Sequence, residues 1–256
     1  YGTGIPACII IIEKSEAAGR KGVFMIDAKG GYIKDGAKNR LREQDIRRIV
    51  DAWQAQRDVP HYARFVPMEE IERNDYNLNI PRYVSAPDTE ILQDIDAHLH
   101  GGLPKHDIDQ FDTYWEVCPS LCDDLFCDYP TRKGYYSLKC NPEAVRDAVT
   151  GNVDFRNQKE VFQKSFAGWC DSHRAQLYAL VPGFAPKKLI ERLGNSLLAV
   201  FEVDKSLVEA YDVYDGLMNY WGETMQDDCY MISSGGWTVQ LYTCLLYTSD
   251  AADEAR

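Results

Sequence analysis

The residues with the densest potential for chemistry lie in DIDAHLHGGLPKHDID, where His98, His100 and His106 stand among Asp94, Asp96 and Asp107. Imidazoles and carboxylates at such short spacing can ligate a transition metal. The double glycine at Gly101 and Gly102 equally makes the segment a turn carrying surface histidines, and a His-x-His pair alone is a weak signal. Cys118, Cys122, Cys127 and Cys140 raise the same question, but their spacing matches no paired C-x-x-C ligand pattern and suits buried free thiols. Gly2 and Gly4 form a GxG that lacks a third glycine at the dinucleotide spacing and leads into an apolar run instead of a helix. The one concentrated basic stretch comprises Lys34, Lys38, Arg40, Arg42, Arg47 and Arg48, which reads either as a solvated helix face or as a contact for DNA phosphate or an acidic partner. No P-loop, HExxH or Ser/His/Asp constellation is present, so no self-contained catalytic or metal centre is assigned.

The elements that must position these residues follow from hydrophobic periodicity. Ile5 to Glu13 is a continuous apolar run and Gly22 to Ala28 a second, predicting a hairpin at the edge of a covered sheet. Leu41, Ile46, Ile49, Val50 and Trp53 fall on one stripe of a helix over residues 41–56. His61 to Pro67 alternates like a strand and Met68 to Arg73 makes a short helix. Asn74 to Val84 then runs extended, because Pro81 removes a backbone donor and drives Ile80 out of the α region.

Beyond Ser85 the pattern is helical. Asn141 and Pro142 are a cap and first helical residue. Phe155, Phe162, Phe166, Trp169 and His173 recur at helical spacing, Pro186 opens another helix to about Val203, and Ser206 with Glu209 reads as the capping box of the last. That last helix places Leu207, Ala210, Tyr214, Leu217, Trp221 and Met225 on one face, which suits a core or a subunit interface.

The chain of 256 residues is 45% apolar and 27% charged, with a formal net charge of −12. Such a charge argues against a free-standing protein that coats nucleic acid, since Lys and Arg supply most non-specific affinity. It leaves room for a subunit whose partners share the DNA contacts. The longest apolar run is Ala7 to Ile12, too short to span a bilayer, and with no secretory signal the eight cysteines fit a reduced, cytoplasmic setting. Residues 244–256 contain CLLYTSDAADE, which resembles a translated sequencing adaptor. Setting them aside takes acids from 40 to 37 and bases from 28 to 27, a net charge of −10. With Tyr1 in place of a methionine, the expected origin is an internal piece of a longer protein.

Four strings in order, YGTGIPACIIIIEK, VFMIDA, NRLREQDIRRIV and NDYNLNIPRYV, resemble the modification (M) subunit of type I restriction-modification systems. HLHGGLPKHDIDQFDTYW and YDVYDGLMNYWGETMQDD resemble its longer-tailed branch. The resemblance implies an adenine-specific DNA methyltransferase that uses S-adenosylmethionine at a bipartite DNA site, with a specificity (S) subunit, a restriction (R) subunit and double-stranded DNA as partners. The implied fold is the last strands of a class I methyltransferase sheet, an α/β edge over residues 1–84, followed by a mainly α-helical assembly region over 85–243. The family's Asn-Pro-Pro-aromatic motif does not occur; Asn141-Pro142-Glu143 is the nearest string. No catalytic residue is therefore carried over, and these residues alone are expected to be inactive.

Such enzymes flip the target base out of the duplex. The resemblance makes Tyr1, Thr3 and Gly4 candidates for the rim of the base pocket, with packing under the loop as the alternative for Tyr1. Lys38, Arg40, Arg42 and Arg82 are the candidates for DNA or partner contact. NDYNLNIPRYV becomes a strap leaving the catalytic domain. The contrasting expectation is a non-enzymatic helical scaffold derived from such a subunit.

Overall fold

The computed structural model describes residues 7–15, 17–36, 38–85, 93–202 and 206–238. Two antiparallel strands begin it, but they are not the expected hairpin. Strand β1 (Gly22–Ile26) pairs with β4 (Ala63–Pro67), from Gly22 opposite Pro67 to Ile26 opposite Ala63. Between them lie β2 (Ile33–Asp35), β3 (Lys38–Arg40) and helix α1 (Glu43–Ala55). Residues 7–14 form no strand, and Ile9, Ile10, Ile11 and Ile12 are 68–87% exposed. The apolar run therefore has no ladder partner among the described residues, whereas β1 gains five paired positions from β4. Gly22 is required at the start of that ladder because a Cβ there would sit 2.2 Å from the Val66 carbonyl oxygen.

Helix α2 (Met68–Arg73) follows β4 directly, and Asn74 ends it, donating from Nδ2 to the Glu70 carbonyl. The following segment is not extended. Asp75 and Tyr76 are left-handed, at φ 55° and 57°, and Ile80–Arg82 is a 3₁₀ turn. Short polar side chains stabilise the reversal: the Asn79 amide donates to Asn77 Oδ1 at 2.9 Å. Tyr83 and Val84 thereby reach a small core of Met25, Val66 and Ile71, with Ile80 at its margin, while Leu78 stays 53% exposed.

Past the undescribed residues 86–92, α3 (Ile95–His100), β5 (Leu103–Pro104), α4 (Lys105–Asp109), α5 (Asp112–Val117), α6 (Pro119–Leu125), β6 (Phe126–Asp128) and β7 (Tyr135–Leu138) follow in close succession. The three strands form a sheet in the order β5-β7-β6. Asn141 starts a 3₁₀ turn without a side-chain cap, and α7 (Val145–Gly151) comes after it.

The long helix α8 (Val153–Tyr178), α9 (Pro186–Phe201), α10 (Ala210–Tyr220) and α11 (Gln226–Gly235) enclose the largest core. It is built on Trp169, Leu189, Leu193, Leu197, Phe201 and Trp221. The aromatic series of α8 stacks as its spacing predicts: Phe162 lies parallel to Phe166 at 6.5 Å, and Phe166 to Trp169 at 5.8 Å. The expected last helix is broken by a π turn at Trp221–Met225. Ser206 is not its capping residue, because Glu209 occupies the N-cap and Ser206 Oγ accepts from the Val208 amide.

Candidate nucleic-acid interface

The basic stretch, read from sequence as one feature, is divided in two by the fold. Arg42 caps α1, Arg47 and Arg48 lie within it, and all three are half-buried and engaged within the molecule. Arg42 donates from Nε and Nη2 to the Asp45 carboxylate at 3.0 Å, while the Arg42 amide also donates to Asp45 at 2.8 Å, closing the first turn of the helix. Asp45 is 8% exposed. Burial alone would raise its pKa, but the Arg42 hydrogen bonds and charge outweigh that and hold it below the usual carboxylate value. Arg47 grips Asp51 at 2.8 Å and lies 5.6 Å from the Tyr214 ring. Arg48 stands 4.4 Å over Tyr62 and 5.9 Å from Tyr211.

These contacts join α1 to α10. The Gln44 side chain donates to Asp212 at 3.0 Å, its amide to Asp215 at 3.3 Å, and Tyr211 donates to Asp51 at 3.2 Å. Burial, reinforced by the Asp51 charge and hydrogen bond, pushes the Tyr211 phenol up to about 12. The helix is thus rotated relative to its predicted stripe: Asp45 and Ala52 are buried and Ile49 is half-buried, whereas Leu41, Ile46, Val50 and Trp53 are 40–48% exposed. Charge pairing with the acidic face of α10 outweighs apolar periodicity in setting its rotation. Sequence reading missed the tyrosines that absorb the two arginines. Their signal was a Tyr211/Tyr214 pair at helical i,i+3 spacing, interleaved with Asp212 and Asp215.

Lys34, Lys38 and Arg40 are placed differently, on the β2–β3 hairpin. Its register sets Ile33 opposite Arg40, Lys34 opposite Asn39 and Asp35 opposite Lys38, around Gly36 at φ 59°. Lys34 donates to Asn39 Oδ1 at 2.8 Å and stands 5.7 Å from the ring of Tyr32, itself 40% exposed. Arg40 makes a loose, solvated pair with Asp35 at 3.5 Å, the two side chains 61% and 67% exposed. All three residues of β3 are exposed. Arg82 ends the 3₁₀ turn of the strap on the exposed side. Of the four contact candidates, Lys38 and Arg40 therefore share one surface, Arg82 stands on a separate element, and Arg42 is withdrawn into the α1 cap. Tyr1, Thr3 and Gly4 lie outside the described residues.

The strap is pinned by polar bonds as well as by its core. The Tyr83 hydroxyl donates to the Asn77 carbonyl at 2.5 Å, and Arg64 bridges the Tyr83 carbonyl at 3.3 Å and both oxygens of Glu70 at 2.8 and 3.0 Å. It lies wholly within the residues that the comparisons with known proteins single out. Residues 1–91 match the family model described as N-6 DNA Methylase.

This stretch is similar to the N-6 DNA methylase family.

The methylase stretch is similar to curated relatives. The type I restriction enzyme MjaVIII methylase subunit of Methanocaldococcus jannaschii is 36% identical over 89 residues, 33% of this chain and 15% of that protein. The HindI methylase subunit of Haemophilus influenzae is 36% identical over 96 residues, covering 34% and 21%. A crystal structure of a type I restriction-modification methyltransferase subunit from Streptococcus thermophilus is 37% identical over 27% of this chain and 15% of its own, with a TM-score of 0.26. The chain thus spans 15–21% of the length of these relatives.

Other candidate constellations resolve into structural roles. His100 pairs with Asp96 at 2.8 Å and His106 with Asp107 at 3.0 Å, separate pairs on exposed helices, and no group of three potential ligands converges among the described residues. Cys118 is fully buried beside Val117, Leu121 and Leu125, and burial, with the Asp154 charge, raises its thiol pKa. A Ser–His contact appears where α8 meets α9, with Ser196 Oγ 2.8 Å from His173 Nε2. It belongs to a polar network that packs α8 on α9: Ser196 Oγ accepts from Trp169 Nε1 at 2.9 Å and also lies 2.9 Å from the Leu193 carbonyl.

Proposed function

We propose that this chain is part of the DNA methyltransferase subunit of a type I restriction-modification system, which transfers a methyl group from S-adenosylmethionine to the exocyclic amine of adenine at a bipartite site. The family match over residues 1–91 carries this reading. In it, the methylase stretch contributes the end of a catalytic domain, with Tyr1, Thr3 and Gly4 at the rim of the pocket for the flipped base. The strap at Asn74–Val84 is the junction, and the helices beyond it dock the specificity subunit. A restriction subunit, duplex DNA and a cytoplasmic setting complete the assignment. No helix among the described residues is long and apolar enough to cross a membrane.

The described residues do not fit S-adenosylmethionine. A cavity of about 410 Å³ is an open groove on the α8–α9 connection and α9, lined by Leu180, Phe184, Lys188, Glu191 and Arg192, outside the methylase stretch. A cofactor of this class is held at a glycine-rich turn between strand and helix, and none adjoins that groove. No step through the cofactor is therefore assigned to these residues.

The test is methyl transfer by the complete subunit assembled with its specificity subunit, followed with radiolabelled S-adenosylmethionine and duplex DNA. Label on adenine is the expected result. A stable assembly that labels no adenine would replace the enzymatic reading with a helical scaffold.

A further inference from the structure

We propose that the β2–β3 hairpin is a phosphate-backbone contact for duplex DNA, made by Lys38 and Arg40 on one face of the hairpin, with Lys34 and Tyr32 on its other face. The choice of polyanion rests on the methyltransferase reading above; the surface itself rests on four observations. Residues 29–42 hold five bases and one acid, against 23 bases and 39 acids in the rest of the chain. A local positive field of this kind persists in an acidic protein because exposed charges farther away than about 8–10 Å are screened at physiological salt. The fold then sorts the bases. Arg42 and Arg47 are half-buried and ion-paired with Asp45 and Asp51, and half-buried Arg48 stands over Tyr62, while the three hairpin bases retain exposed positions.

Geometry favours a nucleic-acid backbone over an acidic protein surface. Lys38 and Arg40 are two residues apart on one strand and share a face, which separates their Cα atoms by about 6.8 Å. Successive phosphates of one duplex strand rise by about 3.4 Å along the axis and are displaced further by the winding of the backbone, so neighbouring phosphates come near that spacing. Asp35 shares their face, loosely paired with Arg40 at 3.5 Å, and opposes an approaching phosphate.

The experiment is a fluorescence-anisotropy titration of a labelled duplex oligonucleotide with the full chain at several salt concentrations. Each lost phosphate contact lowers the slope of log K against log salt by about 0.9. The K34A/K38A/R40A variant should lower that slope by about two, the share of Lys38 and Arg40, and Asp35→Asn should tighten binding. A matched control, K187A/K188A/R192A on α9, removes the same charge elsewhere and should leave the slope unchanged. Circular dichroism of each variant checks that the fold persists. Absence of duplex binding by the unsubstituted chain, an unchanged slope in the hairpin variant, or an equal fall in the control would overturn the proposal. Competition by polyglutamate as effective as that by duplex would also overturn it, assigning the hairpin to an acidic protein. The titration contains neither S-adenosylmethionine nor a specificity subunit, so failure of methyl transfer and failure of the hairpin contact are read separately.

Discussion

Two helical glycines should respond to the same substitution with opposite signs. Gly168 lies on the exposed side of α8, and a Cβ added there meets nothing within 4 Å. Gly168→Ala should therefore stabilise by about 0.8–1 kcal/mol, the ordinary difference in helix propensity. Gly194 on α9 faces Tyr214 of α10, and its added Cβ would sit 2.7 Å from Tyr214 Cε2 and 3.3 Å from Cδ2. The ring cannot simply retreat, because it is 9% exposed and Arg47 of α1 stands 5.6 Å behind it. Overpacking of that kind costs about 1–3 kcal/mol, against a propensity gain of about 1. Gly194→Ala should thus be neutral to about 2 kcal/mol destabilising, and should lie about 1–3 kcal/mol below Gly168→Ala. Urea unfolding followed by tryptophan fluorescence reads this core directly, since Trp169 and Trp221 are 9% and 6% exposed within it. With a slope of about 2 kcal/mol/M, the midpoints of the two variants should differ by about 0.5–1.5 M. In a Tyr214→Ala background the penalty at Gly194 should vanish, giving a measurable coupling between the two sites. Equal stabilisation by both substitutions would refute the packing of α9, α10 and α1 around the Tyr214 ring.

Tyr211 gives a pH signature. Its phenol is raised from 10.0 to about 12, so the stability it contributes is complete below the unfolded value and is lost as pH rises through the folded one. Tyr211→Phe should flatten the fall of the urea midpoint between about pH 10 and about pH 12 relative to the unsubstituted chain; an identical pH profile would contradict the buried contact with Asp51. Asn152 is 4% exposed, caps α8 through the Asp154 and Phe155 amides, and donates to Ser120 and Asp124 at 2.9 and 2.7 Å. Asn152→Ala should lower stability by about 1–3 kcal/mol in thermal or urea melts, combining a lost cap with unpaired neighbours. Ile80→Asp at the edge of the strap core should weaken assembly of the complete subunit with its specificity subunit, and unaltered elution in a sizing experiment would count against the junction role. Replacing Ile10 and Ile12 by Thr should reduce aggregation, read by light scattering, without a loss of stability, because both are exposed at 74% and 80%.

The strings that mark the methylase stretch, the position of α1, α2, α8 and α9 and the aromatic ladder of α8 were legible in the sequence. Each is a local property: residue order, apolar period and the φ limits set by proline act within a few residues. The short helix at Met68–Arg73 and the start of α9 at Pro186 were likewise set by neighbouring residues. The strap illustrates the limit. Pro81 excluded a continuous α-helix through Asn74–Val84, yet whether the chain would extend or turn depended on Tyr83 and Val84 finding Met25, Val66 and Ile71.

Long-range pairing is what only the tertiary structure decided. Nothing within Ile9–Ile12 distinguishes a run that enters a ladder from one left outside it; β1 took its partner from Ala63–Pro67, beyond the reach of local pattern. Rotation of α1 was also decided at a distance, by Asp212, Asp215 and the two tyrosines of α10, which drew its polar side inward. The same contacts split one basic run into three half-buried, internally engaged arginines and three exposed hairpin bases. Sequence alone therefore determined which charges the chain carries, and the fold determined which of them remain free to meet a partner, because a charge is neutralised by what lies near it in space rather than along the chain.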